Sequence, residues 1–341
     1  MRRSLGLLAT SLIGLLALGG CAAKNSLITA AVPTSPPVVP KVSAEWAVPT
    51  AGSQPTDITK GPDGNLWFTE FQGDKIGTVT TTGIFVEFAV QTPNAQPLGI
   101  VTGPNGNLWF TENAADKIGE ITPGGTITEF ALPTPNAKPG SITLGPDGAL
   151  WFLEGGANQI GRIDTSGNIT EFASGLTPNA GLASIVAGPD GALWFTESAV
   201  SQIGRIPANA TPASPGITEY KTPTANAQPG QIVLGPDGAL WFNEQSAGNL
   251  GRIATNGTVT EDALPAGAKP VSLVLGADGN FYLDDAVNDQ IDQAIVTGTF
   301  AVKTFAVPTA AAGLGPMTLG PDSKVYFTEI QADKIGQFTY F

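Results

Sequence analysis

The sequence predicts an all-β chain, a seven-bladed β-propeller of four-stranded antiparallel blades, closed by an amino-terminal strand that completes the last blade. Three observations predict it. A unit with the consensus G-P-D-G-x-L-W-F-T-E, then I-G-x-I, then I-T-E-F begins at Gly61, Gly103, Gly145, Gly188, Gly235, Gly276 and Gly320, at intervals of 42, 42, 43, 47, 41 and 44 residues, the period of a propeller blade. The 341 residues include 43 Gly and 28 Pro, with only 13% charged residues, a mix that suits short strands and turns rather than helices. The last unit stops at Phe341 after its third strand, while Glu45-Trp46-Ala47-Val48-Pro49-Thr50 matches a fourth strand with no unit before it.

The elements follow in chain order. Residues 1–21 read as a lipoprotein signal: Arg2 and Arg3 give a positive start, and Leu5 to Leu18 an apolar core too short to span a bilayer comfortably. The core ends in Leu18-Gly19-Gly20-Cys21, which looks like a bacterial lipobox with Cys21, the only cysteine, as the lipidated residue. An acyl anchor contributes roughly 0.8 kcal/mol per buried CH₂. Residues 22–43 carry Pro33, Pro36, Pro37 and Pro40 and read as an extended tether. The propeller is expected over 44–341, held in the bacterial cell envelope, lipid-anchored to a membrane and facing outside the cytoplasm.

Within the third unit, Ile142-Thr143-Leu144 is the first strand and Pro146-Asp147-Gly148 a turn in which Pro presets φ and Gly accepts a positive one. Leu150-Trp151-Phe152 is the second strand, Ile160-Gly161-Arg162-Ile163 the third, and Ile169-Thr170-Glu171-Phe172 the fourth, after a Ser166-Gly167 turn. Adjacent Trp and Phe make both faces of the sheet apolar, so each blade must be sandwiched by its neighbours. Trp67, Trp109, Trp151, Trp194 and Trp241 share this position, with Tyr282 and Tyr326 in the last two units. Each buried ring contributes on the order of 1.5–3 kcal/mol. Completing the last blade with the amino-terminal strand removes two open edges.

Composition narrows the chemistry. A net charge of −13 repels phosphate backbones and speaks against nucleic-acid binding. The chain has no histidine, the commonest general base near neutral pH. One cysteine allows neither an intramolecular disulfide nor a thiolate zinc cage.

The second strand ends in an acid in every unit: Glu70, Glu112, Glu154, Glu197, Glu244, Asp285 and Glu329. Strand order puts these near one mouth of the central channel, together with the starts of the first strands, Thr56, Leu98, Gly140, Ala183, Gly230, Val271 and Gly315. Two readings of the acids are open. They form a ring that binds a cationic ligand or a metal, Mg²⁺ or Ca²⁺, or each accepts hydrogen bonds from backbone N–H groups of the adjoining loop. Arg162, Arg205 and Arg252 in the third strands are expected to pair with nearby acids. Asn94 and Asn136 in the linkers fit turn chemistry. The insertion 207–216 falls between third and fourth strands, on the face opposite the acids.

The L-W-F-T-E, K-I-G and I-T-E-F motifs with T-P-N-A-x-P linkers resemble the virginiamycin B lyase (streptogramin B lyase) family. The resemblance is clearest in the stretch LWFTENAADKIG that ends at Gly119, and in Thr128-Glu129-Phe130; it covers residues 44–341. It implies the propeller and a Mg²⁺-dependent elimination that opens a cyclic depsipeptide lactone. It places the family's base on Gly315, a supporting glutamate on Gly313, a second histidine on Val271 and a retained acid on Glu329. Glu329 and Asp285 are the candidate metal ligands. With three of these four positions stripped of their chemistry, the expected function is an exported, membrane-tethered, non-catalytic module that binds a small ligand or an envelope protein as a monomer. The alternatives are a Mg²⁺-dependent lactone lyase, or a metal-dependent lactone hydrolase, working with carboxylates alone.

Overall fold

The computed structural model describes residues 39–341. The signal, Cys21 and all but the end of the tether lie outside the described residues. Within them, twenty-eight strands make seven four-stranded sheets, each a meander of antiparallel neighbours. In the third blade the strands are Pro139–Leu144, Leu150–Glu154, Gln159–Ile163 and Ile169–Phe172, paired in that order. The first strands of successive blades touch one another around the ring, including blade seven against blade one, so they form the inner wall.

Closure follows the expected route. The strand Lys41–Ala47 pairs antiparallel with Lys334–Thr339 and becomes the fourth strand of the last blade. It begins at Lys41, inside the stretch assigned to the tether, because pairing continues past a register shift between Val42 and Ala44 as far as Thr339. The ring of Trp46 stacks on Tyr326 with centroids 6.4 Å apart. The seam is therefore sealed by ladder hydrogen bonds and by apolar contact.

Side-chain packing explains the repeated letters. In each blade the second strand turns its Trp or Tyr to one face and its Phe or Leu to the other. The Trp face of one blade meets the Phe face of the next, as where Trp151 and Phe172 cluster with Leu193, Phe195 and Ile206. A buried indole must satisfy its N–H, and the turn aspartate does this. Trp151 Nε1 donates to Asp147 at 3.0 Å, and the other carboxylate oxygen accepts Arg162 Nε at 2.7 Å. Asp190 with Trp194 and Arg205, and Asp237 with Trp241 and Arg252, repeat the arrangement. The hydroxyls of Tyr282 and Tyr326 donate to Asp278 and Asp322 instead.

The glycine in I-G-x-I is equally determined. The Phe152 ring lies against Gly161, where a Cβ would run into it, and the same holds for Phe68 on Gly77 and Phe110 on Gly119. The T-P-N-A linker is fastened to the next blade by the Glu of I-T-E-F. The backbone N–H and hydroxyl of Thr134 donate to the two oxygens of Glu171 at 3.1 and 2.7 Å. Thr92 with Glu129 and Thr224 with Glu261 repeat this clasp. Asn94 and Asn136 sit at φ of 55° and 57°, the left-handed region that Asn tolerates.

Candidate functional site

Where the first strands begin, the inner wall encloses a cavity of about 700 Å³. Thr56, Leu98, Gly140, Ala183, Gly230 and Val271 all line it, so six of the seven strand starts come together as the sequence suggested. Blade seven contributes Pro316 in place of Gly315. Leu98, Leu153, Leu182 and Val271 make the apolar surface, and Asn113, Gln231, Asn243 and Gln245 supply amides. A Cβ built on Gly140 would meet nothing nearer than 4.0 Å, so blade three presents bare backbone and leaves room there.

A second lining layer follows the strand starts by one residue: Asp57, Gly99, Ser141, Ser184, Gln231, Ser272 and Pro316. It stitches blades together. Ser141 Oγ accepts the N–H of Ile185 at 3.2 Å, Ser184 Oγ that of Ile232 at 3.3 Å, and Gln231 Oε1 that of Leu273 at 2.9 Å. Pro316 has no side-chain acceptor, and Asp57 takes both jobs at the seam. One of its oxygens accepts Ile58 N–H and the other Ile100 N–H, each at 2.9 Å. Burial pushes this carboxyl up to about 6, against the lowering effect of those two hydrogen bonds. Sequence reading missed Asp57; the signal was a column of polar or small residues inside strands otherwise rich in aliphatic ones.

The seven acids that end the second strands occupy a different place. All are buried, and none lines the cavity. Alternation along the strand turns them onto the face of the Phe, over the third-strand glycine, towards the fourth-strand acid. Neither oxygen of Glu70, Glu112, Glu154, Glu197 or Glu329 has a hydrogen-bond donor, so the loop N–H groups do not serve them. Asp285 does accept the Lys269 N–H, at 3.3 Å, and an amide N–H of Asn288, at 2.7 Å. In Glu244 one oxygen accepts Asn249 Nδ2 at 2.8 Å.

Electrostatics follow from this placement. Burial first, and the facing Glu129 second, push Glu112 up to about 8, while Lys117 opposes them. Glu154 and Glu197 rise to about 8 through burial and the facing Glu171 and Glu219. Glu70 rises to about 7 in the same way, with Glu87 opposite. The fourth-strand partner behaves oppositely: burial alone would raise Glu129, but hydrogen bonds from Lys117 and Thr92 outweigh it and hold it low. Two carboxyl groups that close cannot both ionise cheaply. In the Glu112–Glu129 and Glu70–Glu87 pairs the second-strand acid is therefore driven towards its neutral form and the fourth-strand acid towards its carboxylate.

The corner of blade seven carries the positions that the family resemblance singles out. A Cβ on Gly315 would collide with the Ile330 side chain and with Thr328 Oγ1. Gly313 adopts φ 62°, and the stem of Gln331 fills the space beside it. Val271 offers its backbone N–H to Asp284 at 2.9 Å but no ligating side chain. Burial and the facing Glu45 push Glu329 up, which favours its neutral form, a poor metal ligand. Glu329 and Asp285 belong to different blades, and among the described residues no three or more acids, His or Cys converge as a metal cage. The residues at this corner do not fit a Mg²⁺ site.

A seven-bladed ring with a polar-and-aliphatic cavity where its first strands begin defines the class, a β-propeller. The model of the virginiamycin B lyase family matches residues 40–176 and 174–340, and the chain belongs to that family. It is similar to the crystal structure of virginiamycin B lyase from Staphylococcus aureus, at 33% identity over 87% of this chain and 99% of that one, with a TM-score of 0.81. A streptogramin B lyase structure matches at 34% identity, 87% and 96% coverage and a TM-score of 0.80. A catalytically inactive histidine-to-alanine variant of the S. aureus enzyme, with quinupristin, matches at 32% identity and a TM-score of 0.81, over 87% of this chain and 99% of that one. No curated protein matches this chain.

Proposed function

We propose that this member of the family is a non-catalytic binding module of the cell envelope, carried on a lipid at Cys21 and holding a small ligand in the cavity at the channel mouth. One observation carries the reading. At the corner where the resemblance places the base, the chain has Gly315, and Ile330 fills the space a larger side chain would need. With no histidine anywhere in the chain, proton abstraction next to a carbonyl has no positioned base, a group that typically contributes about 10²–10⁴-fold. Binding remains well provided for, by about 700 Å³ of cavity with mixed apolar and amide walls.

The test is incubation of the protein with a streptogramin B and Mg²⁺, followed by mass spectrometry. Elimination leaves the mass unchanged but alters fragmentation; hydrolysis adds one water. Neither product is expected to exceed that of a Glu329→Ala control. A product above that control would make the chain a lyase or a lactone hydrolase working without histidine and would overturn the proposal. The envelope assignment has its own test. Metabolic labelling with a fatty acid should mark the wild type and not Cys21→Ser.

A further inference from the structure

We infer that the cavity takes a ligand with a small cationic group, an alkylammonium or a guanidinium, seated against Asp57 with its apolar part along Leu98, Leu153 and Leu182; this rests on the reading of the cavity as a binding site.

Asp57 carries a charge that its place at the seam does not need. Its counterparts in other blades bridge to the next blade with neutral oxygens, hydroxyls in Ser141 and Ser184 and an amide in Gln231. Serving two N–H groups at once accounts for two acceptor oxygens at Asp57. It does not account for a charge without a counter-charge. Of the ion pairs among the described residues, five join third-strand cations to turn or fourth-strand acids and one joins Lys324 to Asp322 within a turn; none involves Asp57. A carboxylate withdrawn from bulk water without a cation is costly.

The rest of the lining leaves that charge uncontested. Lys138 is the one cationic residue lining the cavity, and its side chain is exposed, where water screens it. The other polar lining side chains, such as those of Thr56, Ser184 and Ser272, are neutral. Two backbone N–H groups fix the carboxylate in place, so a cation entering the mouth meets a pre-oriented acceptor. A charge-assisted hydrogen bond there is the strongest single polar contact that the cavity offers. The acidic chain as a whole, at −13, also draws cations towards the mouth.

Calorimetric titration of the full chain with hexylammonium, hexanol and hexanoate tests this, since the three share one apolar tail. Hexylammonium is expected to bind about tenfold or more tightly than hexanol, and hexanoate not measurably. Asp57→Asn should erase the preference for the ammonium. Because that variant loses a seam acceptor, a second one, Gly140→Phe, blocks the cavity from a position with open space and should abolish binding of both hexylammonium and hexanol. Equal binding of hexylammonium and hexanol, both lost in Gly140→Phe, would overturn the charge inference and leave the cavity reading standing. Hexylammonium binding that survives Gly140→Phe, or its absence in the wild type, would overturn the inference outright.

Discussion

Glu112→Gln isolates the raised carboxyl of the Glu112–Glu129 pair. In the folded chain Glu112 titrates near 8, raised by burial and then by Glu129; in the unfolded chain a glutamate titrates near 4.3. Between those values the native state holds one more proton than the unfolded state. A carboxyl raised on folding contributes stability that is complete below the unfolded value and is lost as pH climbs through the folded one. The linkage slope is about −1.4 kcal/mol per pH unit for one group. From pH 5 to pH 7 this costs the wild type up to about 2.7 kcal/mol at this site, and about half that where Lys117 and nearby water relax the charge. Glutamine has the same shape and still donates to Glu129, but it has no proton to lose. The variant should match the wild type within about 1 kcal/mol at pH 5 and exceed it at pH 7 by about 1–2.7 kcal/mol. Urea unfolding at pH 5, 6, 7 and 8 measures both. Parallel curves, or a variant that loses stability faster than the wild type as pH rises, would refute the raised Glu112 carboxyl.

Two further outcomes follow from the packing. Asp147→Ala strands the buried indole N–H of Trp151 and frees Arg162; urea unfolding should show a loss of about 1–3 kcal/mol, with Asp147→Asn losing less. Deleting residues 41–47 removes the fourth strand of blade seven and bares the edge Lys334–Thr339. Size-exclusion chromatography should show aggregation and melting should fall sharply, whereas a monomer with unchanged melting would contradict closure.

The period, the turns and the orphan strand at Glu45 carried the fold, because propeller packing repeats one local solution seven times and each repetition leaves its letters in the chain. The mouth of the cavity was legible for the same reason: strand order alone brings Thr56, Leu98, Gly140, Ala183, Gly230 and Val271 together. The direction of the acids was not. Spacing fixes how far along a strand Glu112 lies, but the face it takes depends on the registers Glu112–Lys117 and Gly119–Glu129, and register is a long-range fact. Asp57 was hidden differently. It is one non-recurring letter in a repeat, and its significance depends on Pro316 arriving beside it from the other end of the chain.

Blade six shows how tightly these letters are coupled. There the second-strand Phe is Leu283, the third-strand glycine is Asp292 and the fourth-strand acid is Thr304. Leu283 is shorter than a Phe ring, and the space over the third strand is taken by the Asp292 side chain, buried and paired in sequence register with Leu283. The facing acid has moved from the fourth strand to the third: burial first, then Asp285, push Asp292 up to about 6. The blade keeps its acid pair with a different pair of residues. Restoring either position alone should fail. Leu283→Phe drives a ring into Asp292, as a Cβ on Gly119 would meet Phe110, and should cost about 1–3 kcal/mol by overpacking. Asp292→Gly leaves a gap beside Leu283 and adds backbone freedom, costing about 1 kcal/mol or more. The double variant rebuilds the Phe-on-Gly contact found in the other six blades. A double-mutant cycle by urea unfolding should therefore give a favourable interaction of about 1–3 kcal/mol between the two sites. Additive losses would mean that the Leu–Asp pair is not a volume exchange, and that Asp292 is held in blade six for some reason other than packing.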